Sequence, residues 1–252
     1  MNENFKLYSQ YYNLLYCDKD YPAEAAYLIE LIREYFPNAK NIIELGSGTG
    51  KHALIFAKEG FSVLGLELSE DMLNIARQNK NERLKFKKAN ISDFKVDQQF
   101  EIALSLFHVI SYLTDNTSLV KTFQRVHESL CEGGLFIFDV WHTPAVVFQI
   151  PEERTKKLSN DQIQIIRKAT PSIFSEENIV EVNYDILVTS LTDKGQISIQ
   201  ETHPMRHFCK NEIDLLAYAT GFKILKSEEF LTKNTPSNST WGVAYVLKKM
   251  NS

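Results

Sequence analysis

The sequence is poor in features that mark several specialised classes of protein. Its 252 residues include three cysteines and carry a formal net charge of −4. The cysteines lie far apart without CxxC spacing, so we expect free thiols and no metal site. The chain has no run approaching the roughly 20 apolar residues of a membrane span and no apolar signal core, which predicts a soluble cytoplasmic protein without a membrane partner. The acidic balance argues against a nucleic-acid partner.

Glycine is also scarce, at 10 residues, and this makes one local cluster conspicuous. The stretch ELGSGTGKH at 44–52 has three glycines in alternate positions. An apolar run typical of a buried strand precedes it, and an apolar helical pattern follows. Glycines at a strand-to-helix turn allow positive φ and the close approach of a ligand. The unpaired N–H groups of the following helix favour an anionic group.

Strands and helices alternate along the first 141 residues. This alternation predicts right-handed βαβ units and a parallel sheet with helices on both faces. The predicted strands are 41–45, 61–67, 83–89, 100–107 and 135–141. The predicted helices are 24–36, 51–59, a segment capped by Ser69, and 117–130. The last of these helices is expected to stop near Gly133 and Gly134.

The rhythm changes after Trp141. Three segments, 161–169, 178–191 and 195–208, alternate with period two and have no helix between them, which predicts antiparallel sheet. A helix and two strands then resume the α/β pattern. The predicted fold is α/β, a doubly wound, mostly parallel seven-stranded Rossmann-like sheet with an antiparallel β insert after strand five.

These patterns divide the chain into three parts. Residues 1–141 form a cofactor-binding core with an N-terminal helical segment, 142–207 a substrate-side antiparallel insert, and 208–252 complete the core sheet. An exposed edge of the insert can pair with a second copy of the chain, so a homodimer is possible.

The spacing of the glycines argues against a dinucleotide loop. In the GxGxxG pattern, the last glycine gives the close helix–strand packing beside a pyrophosphate. Here the third glycine falls one position early, at Gly50, and Lys51 takes the last place. Glu67 ends the second strand about 20 residues after the first glycine, where a carboxylate can accept from ribose hydroxyls. We therefore expect Lys51 and His52 to lie in the first turn of the next helix, beside the ligand.

Four motifs, IIELGSGTGKH, VLGLELSEDML, KANISDF and GGLFIFDV, together resemble the class I S-adenosylmethionine-dependent methyltransferases. The resemblance covers most of the chain and implies S-adenosylmethionine as cofactor. It also assigns cofactor-binding roles to particular residues. The implied contacts are Gly46, Ser47, Gly48 and Gly50 beneath the methionine part, Glu67 on the ribose, Leu68 on adenine, Asn90 and Ile91 at the adenine edge, and Leu106 in the stretch 105–108 that faces cofactor and substrate.

Methyl transfer to an amine or hydroxyl requires the loss of a proton, for which a general base is useful. His108 and Tyr112 follow the fourth strand, at the carboxyl edge where the cofactor methyl should point, and are the main catalytic candidates. Tyr12 is a third. The substrate-binding candidates are Tyr16, His142 and His203. For each of these side chains, packing or structural hydrogen bonding is the alternative role.

Within this family, DKDYPAEA, DVWHTP and ETH resemble the N-methyltransferases that act on nucleotide-linked amino sugars. The predicted function is methyl transfer to a small polar substrate, best the amino group of such a sugar. The histidine base of that subfamily falls on Tyr112 in an approximate alignment, so the base remains open between Tyr112 and His108. Open alternatives are a small-molecule O-methyltransferase, a NAD-dependent oxidoreductase and a non-catalytic cofactor-binding protein. A nucleic-acid methyltransferase is disfavoured, because residues 106–109 lack a proline pair.

Overall fold

The computed structural model describes residues 14–15, 19–79, 81–192 and 195–250. The chain forms two compact units. The core unit comprises Tyr21–Gln149 and Arg206–Ser252, and the insert unit comprises Met1–Asp20 and Ile150–Met205.

The described residues form eleven strands and six α-helices. The strands are β1 (Asn41–Leu45), β2 (Ser62–Glu67), β3 (Leu84–Lys88), β4 (Phe100–Ser105), β5 (Leu130–His142), β6 (Arg154–Ser159), β7 (Ile163–Phe174), β8 (Ile179–Ser190), β9 (Gln196–Phe208), β10 (Phe222–Glu229) and β11 (Gly242–Lys249). The helices are α1 (Tyr21–Tyr35), α2 (Lys51–Lys58), α3 (Glu70–Ala76), α4 (Asn116–Ser129), α5 (Thr143–Phe148) and α6 (Lys210–Ala219), and a 3₁₀ turn covers Val109–Tyr112.

The core unit is built on a seven-stranded sheet in the order β3-β2-β1-β4-β5-β11-β10. The first five strands are parallel to their neighbours, whereas β11 runs antiparallel to both β5 and β10. The strand order reverses between β1 and β4, and open sheets bind ligands outside the carboxyl ends of their strands at such a point. The predicted doubly wound, mostly parallel sheet is confirmed.

Helices cover both faces of this sheet, and β5 shows why its sequence is a continuous apolar run. Phe136 and Phe138 pack on one face in a buried cluster with Phe123 of α4. Leu135 and Ile137 point to the opposite face, in the cluster that includes helices α1 and α2. A strand buried on both sides needs apolar residues at every position rather than at every second one.

The insert unit is an antiparallel sheet. Strand β7 pairs with β6 and, through twelve residue pairs, with β8, and β9 lies on the other side of β8. Alternate residues of β7 and β8 share one apolar face, where Ile163, Ile165, Ile186 and Val188 pack with Leu15. The predicted antiparallel strands after strand five are confirmed.

Two details of the prediction around β5 were wrong. Strand β5 begins at Leu130 rather than at the predicted residue 135. Gly133 and Gly134, which were expected to stop the preceding helix, therefore lie inside β5, while the helix itself ends at Ser129, one residue before its predicted end. Here β5 bulges against β4, because Phe100 pairs with Leu130 and Ile102 with Leu135. Gly133 has φ of 71°, a conformation that glycine adopts at a bulge without strain.

The chain between β5 and β7 also holds a helix and a strand that the sequence reading lacked. These are α5, with a proline in its first turn, and β6. Proline is tolerated there because the first turn of a helix has no acceptor for its N–H groups.

Other expectations concern thiols, metals and membranes. Cys131 and Cys209 carry free thiols, and Cys17 lies outside the described residues. Within the described ranges, no group of three or more His, Cys, Asp or Glu side chains is arranged to hold a metal ion. No described helix is long and apolar enough to cross a membrane.

Candidate active site

The glycine loop connects β1 to α2 at the carboxyl edge of the core sheet. Gly46, Gly48 and Gly50 have φ of 66°, 56° and 75°, all in the left-handed region. A Cβ at Gly46 would lie 2.7 Å from Val109 Cγ1, and one at Gly50 would lie 2.4 Å from Phe86 Cζ. Backbone conformation therefore requires the three glycines, and close packing adds to the requirement at two of them.

Substituting Gly50 separates backbone strain from packing. We expect Gly50→Ala to lower the free energy of unfolding by about 1–3 kcal/mol more than Gly60→Ala, because only the former overpacks a neighbour. Gly60 is the matched control, since its φ is 98° and a Cβ there would meet nothing within 4 Å. Urea unfolding of both variants measures the difference. Equal losses would contradict a packing role for Gly50.

The carboxylate of Glu67, the last residue of β2, is fixed beside this loop by backbone amides. Oε2 accepts from Gly48 N at 2.9 Å, and Oε1 accepts from Leu68 N at 2.9 Å and from Ser69 N at 2.8 Å. A carboxylate has about four acceptor sites, so about one remains, on Oε2. A diol that donates with both hydroxyls must therefore displace one backbone bond.

A second glutamate lies beneath the loop, where the sequence reading named none. Glu44 of β1 is 2% exposed, and its Oε2 has no hydrogen-bond partner among the described residues. Burial, with a smaller contribution from the charge of Glu67, raises the pKa of Glu44 to about 8. The Ser47 hydroxyl in the loop is likewise buried without a partner. Unsatisfied buried polar atoms are costly, so this pair fits a polar ligand group at the loop.

Lys51 and His52 lie in the first turn of α2, as predicted. The His52 ring is buried, with Nε2 2.7 Å from Glu24 Oε2 of α1 and Nδ1 3.9 Å from Glu44 Oε1. Lys51 Nζ lies 4.9 Å from the ring centroid of Tyr21. Both side chains thus contact α1, and the His52 ring also approaches β1 and stacks on Phe56 of its own helix.

The raised pKa of Glu44 predicts a pH-dependent stability. In the unfolded chain the Glu44 carboxyl has the ordinary pKa of 4.5, so it is ionised between about pH 4.5 and 8. In the folded protein its pKa is about 8, so it keeps its proton over the same range. The folded state then binds more protons, so the contribution of Glu44 to stability falls as pH rises from about 4.5 to 8. We expect Glu44→Gln to remove this slope.

Unfolding in urea at pH 5, 6.5 and 8 tests this expectation. Relative to the parent protein, Glu44→Gln should gain up to a few kcal/mol between pH 5 and 8. The exposed Glu59→Gln is the control and should keep the parent's slope. A Glu44→Gln profile parallel to that of the parent would show that Glu44 ionises normally in the folded protein.

The three residues predicted at the adenine side differ in what they can offer. Leu68 is 62% exposed, so its side chain is accessible for stacking. Asn90 Oδ1 accepts from both the amide and the hydroxyl of Ser92 at 2.9 Å, which leaves its NH₂ group as the outward donor. Ile91 packs against the core. Leu106 is 3% exposed and packs on the face of the sheet opposite to Ile91, in the cluster that includes α1 and α2. Only its backbone can therefore face a ligand.

His108 lies at a strained turn that leaves β4. Phe107 and His108 have φ of 63° and 60°, which is unfavourable for two successive residues with side chains. The carboxylate of Asp139, buried in β5, holds this turn. It accepts from the His108 backbone amide at 3.2 Å, and its Oδ2 lies 2.7 Å from His108 Nδ1, although the ring nitrogen is not in line for a hydrogen bond.

The imidazole of His108 remains 25% exposed while its partner carboxylate is 2% exposed. Because Nδ1 faces Asp139, Nε2 is the ring nitrogen left to take a proton from a ligand. The turn also abuts the glycine loop, since Val109, the next residue, fills the space beside Gly46. A proton acceptor thus lies against the loop predicted to hold the methyl donor.

Aromatic side chains surround His108. The ring of Trp141 lies edge-on to His108 with centroids 6.3 Å apart, and Trp241 lies edge-on to Trp141 at 5.9 Å. These are the only two tryptophans of the chain. Phe107 and Tyr112, both about 40–50% exposed, flank the same turn. The arrangement offers flat apolar faces and potential cation–π partners next to a base.

The structure places two of the three catalytic candidates, His108 and Tyr112, in the same turn. The remaining candidates lie elsewhere or outside the described residues. His142 is 8% exposed; its Nδ1 lies 3.2 Å from Thr240 O, and burial lowers its pKa, so the neutral ring donates to that carbonyl. His203 belongs to the insert unit, where Nε2 lies 3.2 Å from Glu201 Oε2. Tyr12 and Tyr16 lie outside the described residues.

Sequence reasoning missed Asp139, Glu44 and Trp241. A signal existed for Asp139, because it is the one acid in the otherwise apolar run LFIFDVW, and a charge buried without a partner is costly. Glu44 has the same signal in NIIEL. Trp241 follows a loop rich in serine and threonine, and its meeting with Trp141 depends on β11 pairing with β5.

The chain is similar in sequence to known methyltransferases. Residues 42–134 match the family model described as "Methyltransferase domain". A "putative methyltransferase" of Geobacillus sp. (strain WCH70) is 28% identical over 253 residues, which cover 97% of this chain and 99% of that protein. The dTDP-3-amino-3,4,6-trideoxy-alpha-D-glucopyranose N,N-dimethyltransferase of Streptomyces venezuelae is 33% identical over 135 residues, covering 53% of this chain and 56% of that protein.

The fold is also similar to solved structures. A S-adenosylmethionine-dependent methyltransferase from Clostridium acetobutylicum ATCC 824 superposes with a TM-score of 0.81 at 20% identity, covering 99% of this chain and 100% of that one. The shared architecture includes the sheet whose switch point carries the glycine loop.

Proposed function

We propose that this chain, which is a class I S-adenosylmethionine-dependent methyltransferase, transfers a methyl group to the amino group of a nucleotide-linked amino sugar. The observation that carries the proposal is the His108–Asp139 pair, a proton acceptor that adjoins the glycine loop through Val109. An amine is protonated at neutral pH and must lose a proton before it can accept a methyl group, so such a base meets a chemical need.

The residues of the loop fit the cofactor, which when bound supplies an electrophilic methyl group. The buried Oε2 of Glu44 and the Ser47 hydroxyl have no hydrogen-bond partner in the described part of the chain, and they suit the polar end of a methionine moiety. Glu67 keeps an acceptor site on Oε2 for a ribose hydroxyl, and Leu68 offers an exposed apolar surface for adenine. In this proposal, Gly46, Gly48 and Gly50 give the loop its conformation through their positive φ, and the residues named above contact the cofactor.

His108 acts as the general base in this proposal, and Asp139 positions it. The carboxylate fixes the backbone of the turn and faces Nδ1, so that Nε2 takes the proton from the acceptor. Ionic attraction to Asp139 then stabilises the resulting imidazolium. Tyr112 lines the same turn and contacts the acceptor without accepting its proton. Alignment of the amine with the methyl group supplies a further large part of the rate.

Two relatives that act on amino sugars support the acceptor class. Besides the S. venezuelae protein, the dTDP-3-amino-3,6-dideoxy-alpha-D-glucopyranose N,N-dimethyltransferase of Streptomyces fradiae is 26% identical over 206 residues, covering 82% of this chain and 79% of that protein. Both names describe methyl transfer to the amine of a dTDP-linked sugar. The polar, aromatic surroundings of His108 also accommodate a hydroxyl acceptor, so an O-methyltransferase is the second candidate.

Methyl transfer from labelled S-adenosylmethionine to a dTDP-amino sugar tests the proposal. The protein should methylate the amino sugar and leave the matching 3-hydroxy sugar nucleotide unmodified. Transfer to the hydroxy sugar alone would overturn the amine assignment. Absence of thermal stabilisation by saturating S-adenosylmethionine would overturn the cofactor assignment as well.

A further inference from the structure

An open cleft lies between α5 and the loop that leads into β11. Its volume is about 580 Å³, and it is lined by Phe148, Gln149, Ser237, Asn238 and Ser239. Pockets for small molecules commonly span about 300–1,000 Å³. Helix α5 follows the carboxyl end of β5, and antiparallel β11 begins beside that end. The cleft therefore lies at the same edge of the sheet as His108, on the side of β5 away from the glycine loop.

The lining has the chemistry of a site for an uncharged, planar, polar group. The ring of Phe148 is 69% exposed and offers a flat face for stacking. Gln149 and Asn238 contribute amides, and Ser237 and Ser239 contribute hydroxyls, so donors and acceptors are both present. No lining residue is charged, which disfavours binding of a pyrophosphate there. A pyrimidine base needs an aromatic face and a mixed set of donors and acceptors at its edge.

Hydrogen bonds hold the lining in place before a ligand arrives. Gln149 Oε1 accepts from Trp241 Nε1 at 2.6 Å, which leaves the NH₂ group of Gln149 to donate to a ligand carbonyl. Thr240 Oγ1 accepts from Ser237 N at 3.0 Å and donates to Glu229 Oε1 at 3.1 Å. The buried His142 donates to the Thr240 carbonyl from the other side. Preorganised polar groups bind more tightly because less freedom is lost on binding.

A short, continuous row of residues connects the cleft to His108, the proposed general base. Trp241 contacts Gln149 on one side and Trp141 on the other, and Trp141 in turn contacts His108. Gly242 adjoins the imidazole directly, since a Cβ there would lie 3.3 Å from His108 Cε1. The segment from Ser237 to Gly242 spans at most roughly 18 Å. One extended acceptor can therefore reach both places.

We propose that this cleft binds the pyrimidine base of a nucleotide-linked acceptor whose amine lies at His108. The inference rests on the proposed function and adds a location and a chemical class to it: Phe148 stacks on the base, and Gln149 and Asn238 pair with its edge. His142, a predicted substrate-binding residue, acts here by holding the loop.

Tryptophan fluorescence tests this proposal independently of turnover, because Trp241 is bonded to the lining. Thymidine 5′-monophosphate is titrated into the protein saturated with S-adenosylhomocysteine. We expect a saturable change in emission in the parent protein. Phe148→Ala should weaken this binding about tenfold or more, on the scale of base–aromatic stacking. Tyr218→Ala, which removes an aromatic ring that is 84% exposed on α6, is the matched control and should bind as the parent does.

Each outcome of this experiment decides for or against the cleft. Selective weakening in Phe148→Ala supports the cleft. Equal binding by Phe148→Ala and the parent, or competition by inorganic pyrophosphate but not by thymidine, would assign the nucleotide to another site. Failure to bind the nucleotide while S-adenosylmethionine still stabilises the protein would overturn the cleft and leave the methyltransferase intact, whereas loss of both would also remove the proposed function.

Discussion

His108→Gln lowers the kcat of methyl transfer by about 10²–10⁴-fold and leaves the affinity for S-adenosylmethionine unchanged. This is the expected size of general-base catalysis. The turn that carries the imidazole adjoins the glycine loop through Val109, and the cofactor contacts proposed above do not include His108. Glutamine has a similar size and polarity but cannot take a proton, so a fall in kcat reports the proton transfer. Steady-state kinetics with a saturating amino-sugar acceptor, together with cofactor titration by calorimetry, measure both quantities.

Two further variants control for the shape of the site. Tyr112→Phe should retain most of the turnover, because the proposal gives Tyr112 a contact and no proton transfer. Asp139→Asn should reduce kcat, since the imidazolium loses its partner carboxylate. If Tyr112→Phe abolished turnover and His108→Gln did not, the base would be Tyr112.

Glu67→Ala weakens the binding of S-adenosylmethionine by about 10–100-fold, because hydrogen bonds to a charged group contribute roughly 1.5–3 kcal/mol. The carboxylate also accepts from Gly48, Leu68 and Ser69, so its removal loosens the loop as well as the ribose contact. Glu67→Gln keeps one acceptor oxygen and should lose less. Equilibrium binding by calorimetry gives each affinity.

Glu70→Ala provides the matched control. Glu70 lies three residues further on in α3, is about half exposed, and pairs with Arg77 and Lys88 on the surface. Its removal should leave cofactor affinity within about twofold, since exposed ion pairs contribute little. Equal losses in Glu67→Ala and Glu70→Ala would indicate a general effect of negative charge and refute the ribose contact.

The core fold was predictable because its signals are local. Alternating glycines after an apolar strand indicated a left-handed loop, and all three have positive φ. The serine before two acids indicated a capped helix, and Ser69 Oγ accepts from Met72 N at 3.4 Å at the start of α3. Period-two alternation after Trp141 indicated antiparallel strands. Each inference needed only a few neighbouring residues and the conformational preference they impose.

The pairing of His108 with Asp139 was not predictable in the same way. His108 and Asp139 are 31 residues apart, and they meet because β4 and β5 are adjacent and in a particular register, with Ser105 opposite Phe138. A bulge at Gly133 sets that register, and it depends on tertiary pairing. The short helix α5 was missed for a related reason, because six residues give too little periodicity for an apolar stripe.

The position of β11 has a consequence for how the protein is made. This strand is the last of the described strands in chain order, yet it lies inside the core sheet between β5 and β10. A ribosome must therefore deliver the whole insert unit before β5 receives its second neighbour. During that interval, β5 presents an unpaired apolar edge. Its residues 135–138 and 140 are at most 1% exposed in the finished protein. Such edges recruit other chains. We therefore expect a chain truncated before Gly242 to aggregate more readily than the full chain.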